Sequence, residues 1–559
     1  MPRSAGLSLP IIPRRYQPPL PVDQLIVAEA PDGEHVPMDV VFVGGGPAGL
    51  AGAIELARLV RADADAGGSL GDIEIAVLEK AGALGEHSLS GAVVNPIAFR
   101  ALFPDLADAD FPFRTPVTAE RVYFLSERRA QRLPTPPTMR NHGHYVASIC
   151  EIVRWLGEKA EAAGINVFTG FPVASLLVEG DRVIGVRTTP SGVARDGTPG
   201  PAYAPPTDLT ARVTVLAEGT RGALTQAYQQ WRGIRSPNPP MFALGVKEVW
   251  ESTRPLDAVI HTLGWPLPPD TFGGSFIYPL APTLVALGIV VGLDSPGLDL
   301  DVHVLLQRLK LHPLVRRYLD GGDMVEWGAK TIPEGGYWAI PDRRYGDGLL
   351  VVGDAAGFVE VASLKGIHYA MHSGMLAART IFEALKQGDT SSGALAPYDA
   401  LVNDSYIMRD LHERRNMRLA FQHSTLYAGG AKAALMTLTK GRFPGGKIDA
   451  VADADVPRTN RAAPPLQPDG TLTFGKLDAV FRSGNATRDD IPSHLIVGQD
   501  VPPDVAEMYT HMCPAGVYER DGDRLVVSPA NCIDCKATDD LGPRWIPREG
   551  GSGAKYRTM

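Results

Sequence analysis

Residues 39–60 read DVVFVGGGPAGLAGAIELARLV. Residues 39–43 are a short apolar run that leads directly into glycines, and from Leu50 onward apolar residues fall at helical spacing. The stretch therefore reads as a strand, a tight turn and a helix. Gly44-Gly45-Gly46-Pro47-Ala48-Gly49 matches G-x-G-x-x-G, and its setting between a strand and a helix is the one a dinucleotide requires. Gly44 permits the turn, Gly46 admits a pyrophosphate with no Cβ in the way, and Gly49 lets the helix sit close to the strand. Phosphate charge then meets the free N–H groups of the helix start, with Pro47 and Ala48 completing the approach.

A second strand follows at 73–78 (IEIAVL) and ends in Glu79, thirty residues beyond Gly49. The usual offset is nearer twenty, and the glycine-rich insertion ADADAGGSLGD accounts for the excess. A carboxylate there can accept both ribose hydroxyls, unless it is simply a solvated strand end. A second glycine cluster at 349–357 (LLVVGDAAG) places Gly353, Asp354 and Gly357 after another strand. Asp354 is suited to a ribityl chain and the following helix start to a pyrophosphate. Two such elements about three hundred residues apart, together with Glu79, resemble the glutathione-reductase-type FAD-binding fold. A nicotinamide-only enzyme has no need of the second.

The chain has 559 residues, too many for one core, so two to four packed units are expected. Hydrophobic residues make up 44% and charged residues 21%, ordinary values for a folded protein. A net charge of −9 argues against nucleic acid as a partner. Four cysteines are too few for a disulfide scaffold and indicate a reducing compartment. The most apolar stretch, 283–293, is about half the length of a membrane span and reads as a strand.

Other strands are expected at 183–188, 213–217 and 349–352. A helix is expected at 151–163, where Ile152, Trp155, Leu156, Ala160 and Ala163 share one face. Residues 190–210 are turn-rich and read as a long surface loop, and 451–470 as a connector. The N-terminus carries six prolines by Pro21 and no apolar h-region, so it reads as a disordered or extended arm. The resulting organisation is an arm (1–37), a first dinucleotide part (38–235), an inserted unit (236–340), a second dinucleotide part (341–400), a helical segment (401–450) and a cysteine-bearing module (451–559).

In that module stand Cys513-Pro514 and then Cys532-x-x-Cys535. Thiolates are the natural ligands of iron–sulfur clusters, yet the next ligand position holds Thr538. Residues 513–538 contain no histidine to complete a zinc site. Three readings stand. The first is a cluster on three cysteines, with one iron missing or held by Asp534, Thr538, Asp539 or water. The second is a structural remnant that has lost its cluster, and the third is another metal. Cys150 reads as an inert core thiol.

From about residue 38 to its end the chain resembles the electron transfer flavoprotein–ubiquinone oxidoreductase family. The resemblance is carried by 43–59, LEKAGALGEHSLSGAVV (78–94), PPTMRNHGHYVASI (136–149), GVARDGTPG (192–200), LAEGTRG (216–222), FGGSFIYPL (272–280), LVALGIVVGLD (284–294), KGIHYAMHSG (365–374), PDGTLTFGKLDAV (468–480), CPAGVYE (513–519) and WIPREGGSG (545–553). It implies an α/β and α+β chain with a glutathione-reductase-type FAD fold, an inserted quinone-binding domain and a C-terminal ferredoxin-like iron–sulfur module. The implied cofactors are FAD and an iron–sulfur cluster, [4Fe–4S] or a three-iron form, and the implied partners are electron transfer flavoprotein and ubiquinone or menaquinone.

By position the resemblance adds Lys80, Ser90, Gly91, Glu218, Gly219, Lys365 and Gly366 to the flavin site. It adds backbone contact from Gly273 and Gly274 to a quinone, and Cys513, Cys532 and Cys535 to a cluster. It implies monotopic attachment to a membrane, with an interfacial helix within 419–438; a bacterial cytoplasmic face is expected, with the mitochondrial inner membrane as the alternative. The family pattern has a cysteine at Thr538, a threonine at Ala537, an asparagine at Pro333 and a threonine at Ile367. These departures around both redox centres imply retuned potentials. The competing reading is an FAD-dependent reductase or hydroxylase of an isoprenoid or quinone-like molecule.

Overall fold

The computed structural model describes residues 10–91, 93–422, 424, 426–461 and 464–559. Strand Val36–Val43 sits at the middle of a parallel array. It pairs with Ile75–Glu79 on one side and Asp208–Leu216 on the other, and the array continues to Asn166–Thr169 and Leu349–Val351. Helices cover both faces of such a sheet, so its central strands are continuously apolar rather than alternating. Helix Pro47–Asp65 packs against Ile149–Ala162 and against Ile367–Lys386.

A second, seven-stranded sheet is built mainly from Phe242–Glu251, Val259–Gly264, Gly273–Pro279, Leu284–Gly292 and Asp323–Pro333. The apolar run at 283–293 is thus a central strand, as expected. Two further strands, Glu120–Leu125 and Ala130–Leu133, come from before residue 235, and the first pairs parallel with Val259–Gly264. The second unit is therefore not one continuous insertion. Its core holds Trp250 and Trp327 and a buried ion pair, Glu248 with Lys310 at 2.9 Å.

Two expectations are corrected. Residues 190–210 contain a hairpin, Ser191–Val193 with Pro199–Ala204. Its turn is Asp196-Gly197, where Gly197 has φ +86° and the Asp196 carboxylate accepts the Thr198 N–H at 3.0 Å. That dipeptide is a hairpin signal within a segment whose composition reads as loop. The described part of the arm, residues 10–37, is docked. Leu20 and Leu25 are buried, Ile26–Val27 pairs with Leu176 and Leu177, and the Gln17 amide donates to the carbonyls of Asp539 and Asp540. The prolines preset extended backbone that can lie along a surface. Residues 1–9 lie outside the described residues.

The C-terminal module has helices Lys476–Arg482 and Pro503–Met512 and a hairpin, Tyr518–Asp521 with Arg524–Val527. Before it, helix Leu426–Leu438 exposes Tyr427, Leu435 and Leu438, and the adjoining Phe443 is exposed as well. His423, in the segment expected to touch a membrane, lies outside the described residues.

Candidate active site

Gly44 has φ +118°, and a Cβ there would fall 2.3 Å from the Ala217 carbonyl oxygen. A Cβ on Gly49 would fall 2.1 Å from the carbonyl oxygen of Gly44. At Gly46 a Cβ would meet nothing within 4 Å, so this edge of the turn faces open space. The strand–turn–helix is thus shut by backbone at two glycines and open at the third. The open side is a cavity of about 340 Å³.

Of the residues singled out from sequence, Gly44, Gly46, Pro47, Ala48, Glu79, Lys80, Ser90, Gly91, Glu218, Gly219, Asp354, Lys365 and Gly366 line this cavity. Gly49, Gly353 and Gly357 stand behind its wall as backbone supports; Gly353 and Gly357 have φ of +64° and +82° at the two ends of the Asp354 turn. The Glu79 carboxylate accepts the N–H groups of Gly45 and Ala81, each at 2.9 Å, which fixes it at the strand end. The Glu218 carboxylate accepts the N–H of Thr225 at 2.7 Å and its hydroxyl at 2.8 Å, so it caps helix Ala223–Trp231. Burial pushes the Asp354 carboxyl up to about 6, against a smaller pull from Lys330.

Gly273 and Gly274 do not line the cavity. They sit in a strand, where a Cβ would come within 2.3 Å of the Val290 carbonyl oxygen and 2.9 Å of that of Thr262. Their lack of side chains is accounted for by strand packing. Ile367 lines the cavity, whereas Pro333 ends the neighbouring strand outside it.

The residues not singled out from sequence include three cations. Lys247, Lys330 and Lys536 join Lys80 and Lys365 on the cavity wall. Burial lowers Lys247, Lys330 and Lys365 to about 8, and Lys536 to about 7. The available signal was a lysine within an apolar strand, as in LGVKEVW and WGAKTIP. Buried ammonium groups call for anions. A dinucleotide pyrophosphate and a reduced, negatively charged flavin would supply them, so the wall fits FAD by charge as well as by shape. Tyr278 and Phe276, from the second sheet, close the far side.

The cysteine loop abuts this cavity through Lys80, whose ammonium is 2.5 Å from Asp534. Cys513, Cys532 and Cys535 are all buried. The Tyr518 hydroxyl sits within the electrostatic reach of all three thiols. Backbone N–H groups address each sulfur: Val517 and Ala515 that of Cys513, Asp534 that of Cys532, and Ala537 that of Cys535. Left-handed backbone at Asp534 (φ +56°) and Lys536 (φ +62°) flanks Cys535 on either side. Burial still raises every thiol, Cys532 to about 12, so a metal is what converts them to thiolates. The donor set fits an iron–sulfur cluster at three corners. Cys150 is apart from it, with its thiol donating to the Ser88 carbonyl at 3.1 Å.

This fold and cavity, with a thiol-lined module beside them, define an FAD-dependent oxidoreductase with an iron–sulfur domain. Residues 242–332 match a family described as ETF-QO, ubiquinone-binding, and 470–557 match one described as electron transfer flavoprotein-ubiquinone oxidoreductase, 4Fe-4S. The mitochondrial electron transfer flavoprotein-ubiquinone oxidoreductase of Oryza sativa subsp. japonica is 36% identical over 94% of this chain and 94% of its own. The Homo sapiens protein of the same name is 36% identical over 93% of this chain and 89% of its own. In fold, the chain is similar to a geranylgeranyl bacteriochlorophyll reductase-like protein from Thermoplasma acidophilum, with TM-score 0.55, 19% identity, and 72% and 92% of the two chains covered. The chain belongs to the electron transfer flavoprotein–ubiquinone oxidoreductase family.

Proposed function

We propose that this protein takes electrons from a reduced electron transfer flavoprotein and delivers them to a membrane quinone, ubiquinone or menaquinone. The observation that carries the reading is the cavity itself. It is walled by the dinucleotide turn, the Asp354 turn and the second sheet, and is ion-paired through Lys80 to the thiol-bearing loop. Bound FAD would supply electron transfer in single or paired steps, and the cluster single-electron relay.

The chain's own residues hold and shield this chemistry. Gly44, Gly46 and the start of helix Pro47–Asp65 would hold the pyrophosphate, and Glu79 the ribose. Lys330 and Lys365, on the cavity wall, would offer positive charge to a reduced, negatively charged flavin. The Tyr278 hydroxyl is 2.8 Å from His261 Nε2 within the second sheet. Burial lowers His261 to about 4, so the ring stays neutral and the pair can hold or pass one proton beside the cavity. Retuned potentials remain part of this reading, since the Ile367 side chain offers the cavity no hydrogen-bond donor.

The membrane contact is assigned to helix Leu426–Leu438 and the turn after it. Tyr427, Leu438 and Phe443 are 72%, 82% and 58% exposed, an apolar patch of the kind that enters a lipid surface. Among the described residues no helix is long and apolar enough to cross a membrane. The relatives are named as mitochondrial, which suits the alternative placement, and a bacterial cytoplasmic membrane face is the other. The test is steady-state quinone reduction with reduced electron transfer flavoprotein as donor. Turnover supports the reading. Flavin that this donor leaves oxidised but NAD(P)H reduces would favour the isoprenoid-type reductase instead.

A further inference from the structure

A [4Fe–4S] cluster takes four cysteine thiolates, and this module brings together three. Asp534 and Asp539, the nearby carboxylates, are both committed. Asp534 holds Lys80 at 2.5 Å, Arg548 at 2.9 Å and the Trp545 indole N–H at 3.0 Å. Asp539 holds Arg221 at 2.6 Å and the Trp545 backbone N–H at 2.8 Å. Recruiting Asp534 to iron would take the carboxylate from buried Arg548, and recruiting Asp539 would strip one of two carboxylates from Arg221, which keeps Asp540 at 2.7 Å; either exchange is costly.

Another nearby donor is His494, which is buried with both ring nitrogens unpartnered. Its ring lies with Asp534 beside Cys532, the candidate ligand atoms all within 4.8 Å of one another. It therefore shares the corner that Cys532 already serves. The side that remains is marked by a different contact. The Tyr518 hydroxyl lies 3.4 Å from the Thr538 hydroxyl on the first turn of helix Ala537–Leu541, three residues after Cys535. Both groups are buried.

We propose that the module holds a site-differentiated cluster, with three irons on Cys513, Cys532 and Cys535 and a fourth, exchangeable Fe²⁺ site facing the hydroxyls of Thr538 and Tyr518. The inference rests on the iron–sulfur part of the proposed function. A neutral hydroxyl or a water is a far weaker iron ligand than a thiolate, so the fourth iron is the one that leaves. With a one-electron oxidant such as ferricyanide the change balances as [4Fe–4S]²⁺ giving [3Fe–4S]⁺, Fe²⁺ and one electron to the oxidant. Fe²⁺ with a reductant reverses it. The ligand of this site is thus free ferrous iron, and its occupancy follows the iron and oxidant around the protein.

The experiment uses the full chain with its cofactors, purified without oxygen, alongside Thr538→Cys. Iron and sulfide are counted and low-temperature EPR spectra recorded before ferricyanide, after it, and after Fe²⁺ with dithionite. The expected result for the parent is loss of one iron in four with a three-iron signal, then its return. Thr538→Cys keeps all four through the same treatment. Retention of the fourth iron by the parent as firmly as by Thr538→Cys overturns the proposal, and His494→Ala then shows whether that ring is the ligand. Iron in Thr538→Cys but none in the parent also overturns it, because the site is then lost rather than exchangeable. Absence of iron from both overturns the iron–sulfur reading of the module itself.

Discussion

Replacing Gly46 and Gly49 separately by alanine tests the nucleotide turn, because the two methyl groups meet opposite surroundings. At Gly49 the new Cβ lies 2.1 Å from the Gly44 carbonyl oxygen. An ordinary contact needs about 1 Å more, and the obstacle is backbone that cannot rotate away, so the helix must withdraw from the strand. Overpacking of this kind costs about 1–3 kcal/mol. At Gly46 the residue has extended backbone, φ −84° and ψ −177°, which alanine adopts freely, and no atom lies within 4 Å. The apoprotein should therefore keep its stability to within about 0.5 kcal/mol. The methyl instead occupies space meant for a phosphate. Losing one charge-assisted hydrogen bond costs about 1.5–3 kcal/mol, or roughly 10- to 150-fold in FAD affinity. Denaturant unfolding of the apoproteins and FAD titration by fluorescence read the two quantities. FAD affinity unchanged in Gly46→Ala, or parental stability in Gly49→Ala, would refute the argument.

Asp354 carries a pH signature. Its carboxyl is raised from 3.8 to about 6, so the folded apoprotein holds a proton that the unfolded chain has released, and stability falls as pH rises from about 4 to 6. The full shift corresponds to about 3 kcal/mol, reduced to on the order of 1–2 by the residue's contact with cavity solvent. Asp354→Asn should remove that fall, making the apoprotein more stable above pH 6 while weakening FAD binding; parallel melting curves across the window check it. Lys310→Met leaves Glu248 buried with only Trp250 and Gln307 as donors, and should cost about 3–5 kcal/mol in urea unfolding. Adding Glu248→Gln should recover much of the loss, and a single-variant loss below about 1 kcal/mol contradicts the pairing. Leu438→Glu with Phe443→Glu should weaken co-sedimentation with anionic vesicles at least tenfold, from about 1.5–3 kcal/mol of burial at each site; unchanged binding moves the membrane contact elsewhere.

The dinucleotide turn was legible because its chemistry is local: strand, glycines and helix are consecutive, and Glu79 ends the next strand. The three clustered cysteines were legible by residue type. What lies across sequence distance was not. Strands Glu120–Leu125 and Ala130–Leu133 join a sheet whose other members begin more than a hundred residues later, and no local pattern announces that pairing. Lys247, Lys330 and Lys536 look like stray charges until folding turns them onto one wall. The Asp196-Gly197 turn was hidden by its own neighbours, since prolines and glycines on both sides gave the segment a loop composition. Gly273 and Gly274 showed the converse: a motif shared with a family pointed to ligand contact, while the close approach of Val290 and Thr262 already demands glycine there.

The ion pair between Lys80 and Asp534 joins residues 454 positions apart. Closing so long a loop is slow compared with forming the local strand–turn–helix. On a growing chain the nucleotide turn is complete long before the cysteines emerge. When they do emerge, the three thiols stay open to metal only until Lys80, Arg221 and Trp545 draw the loop down. Maturation therefore has a deadline. A chain that docks its last module before metal arrives would be folded and flavin-loaded with its three thiols closed to a whole cluster, although a cluster already in place can still exchange one Fe²⁺ at the Thr538 side.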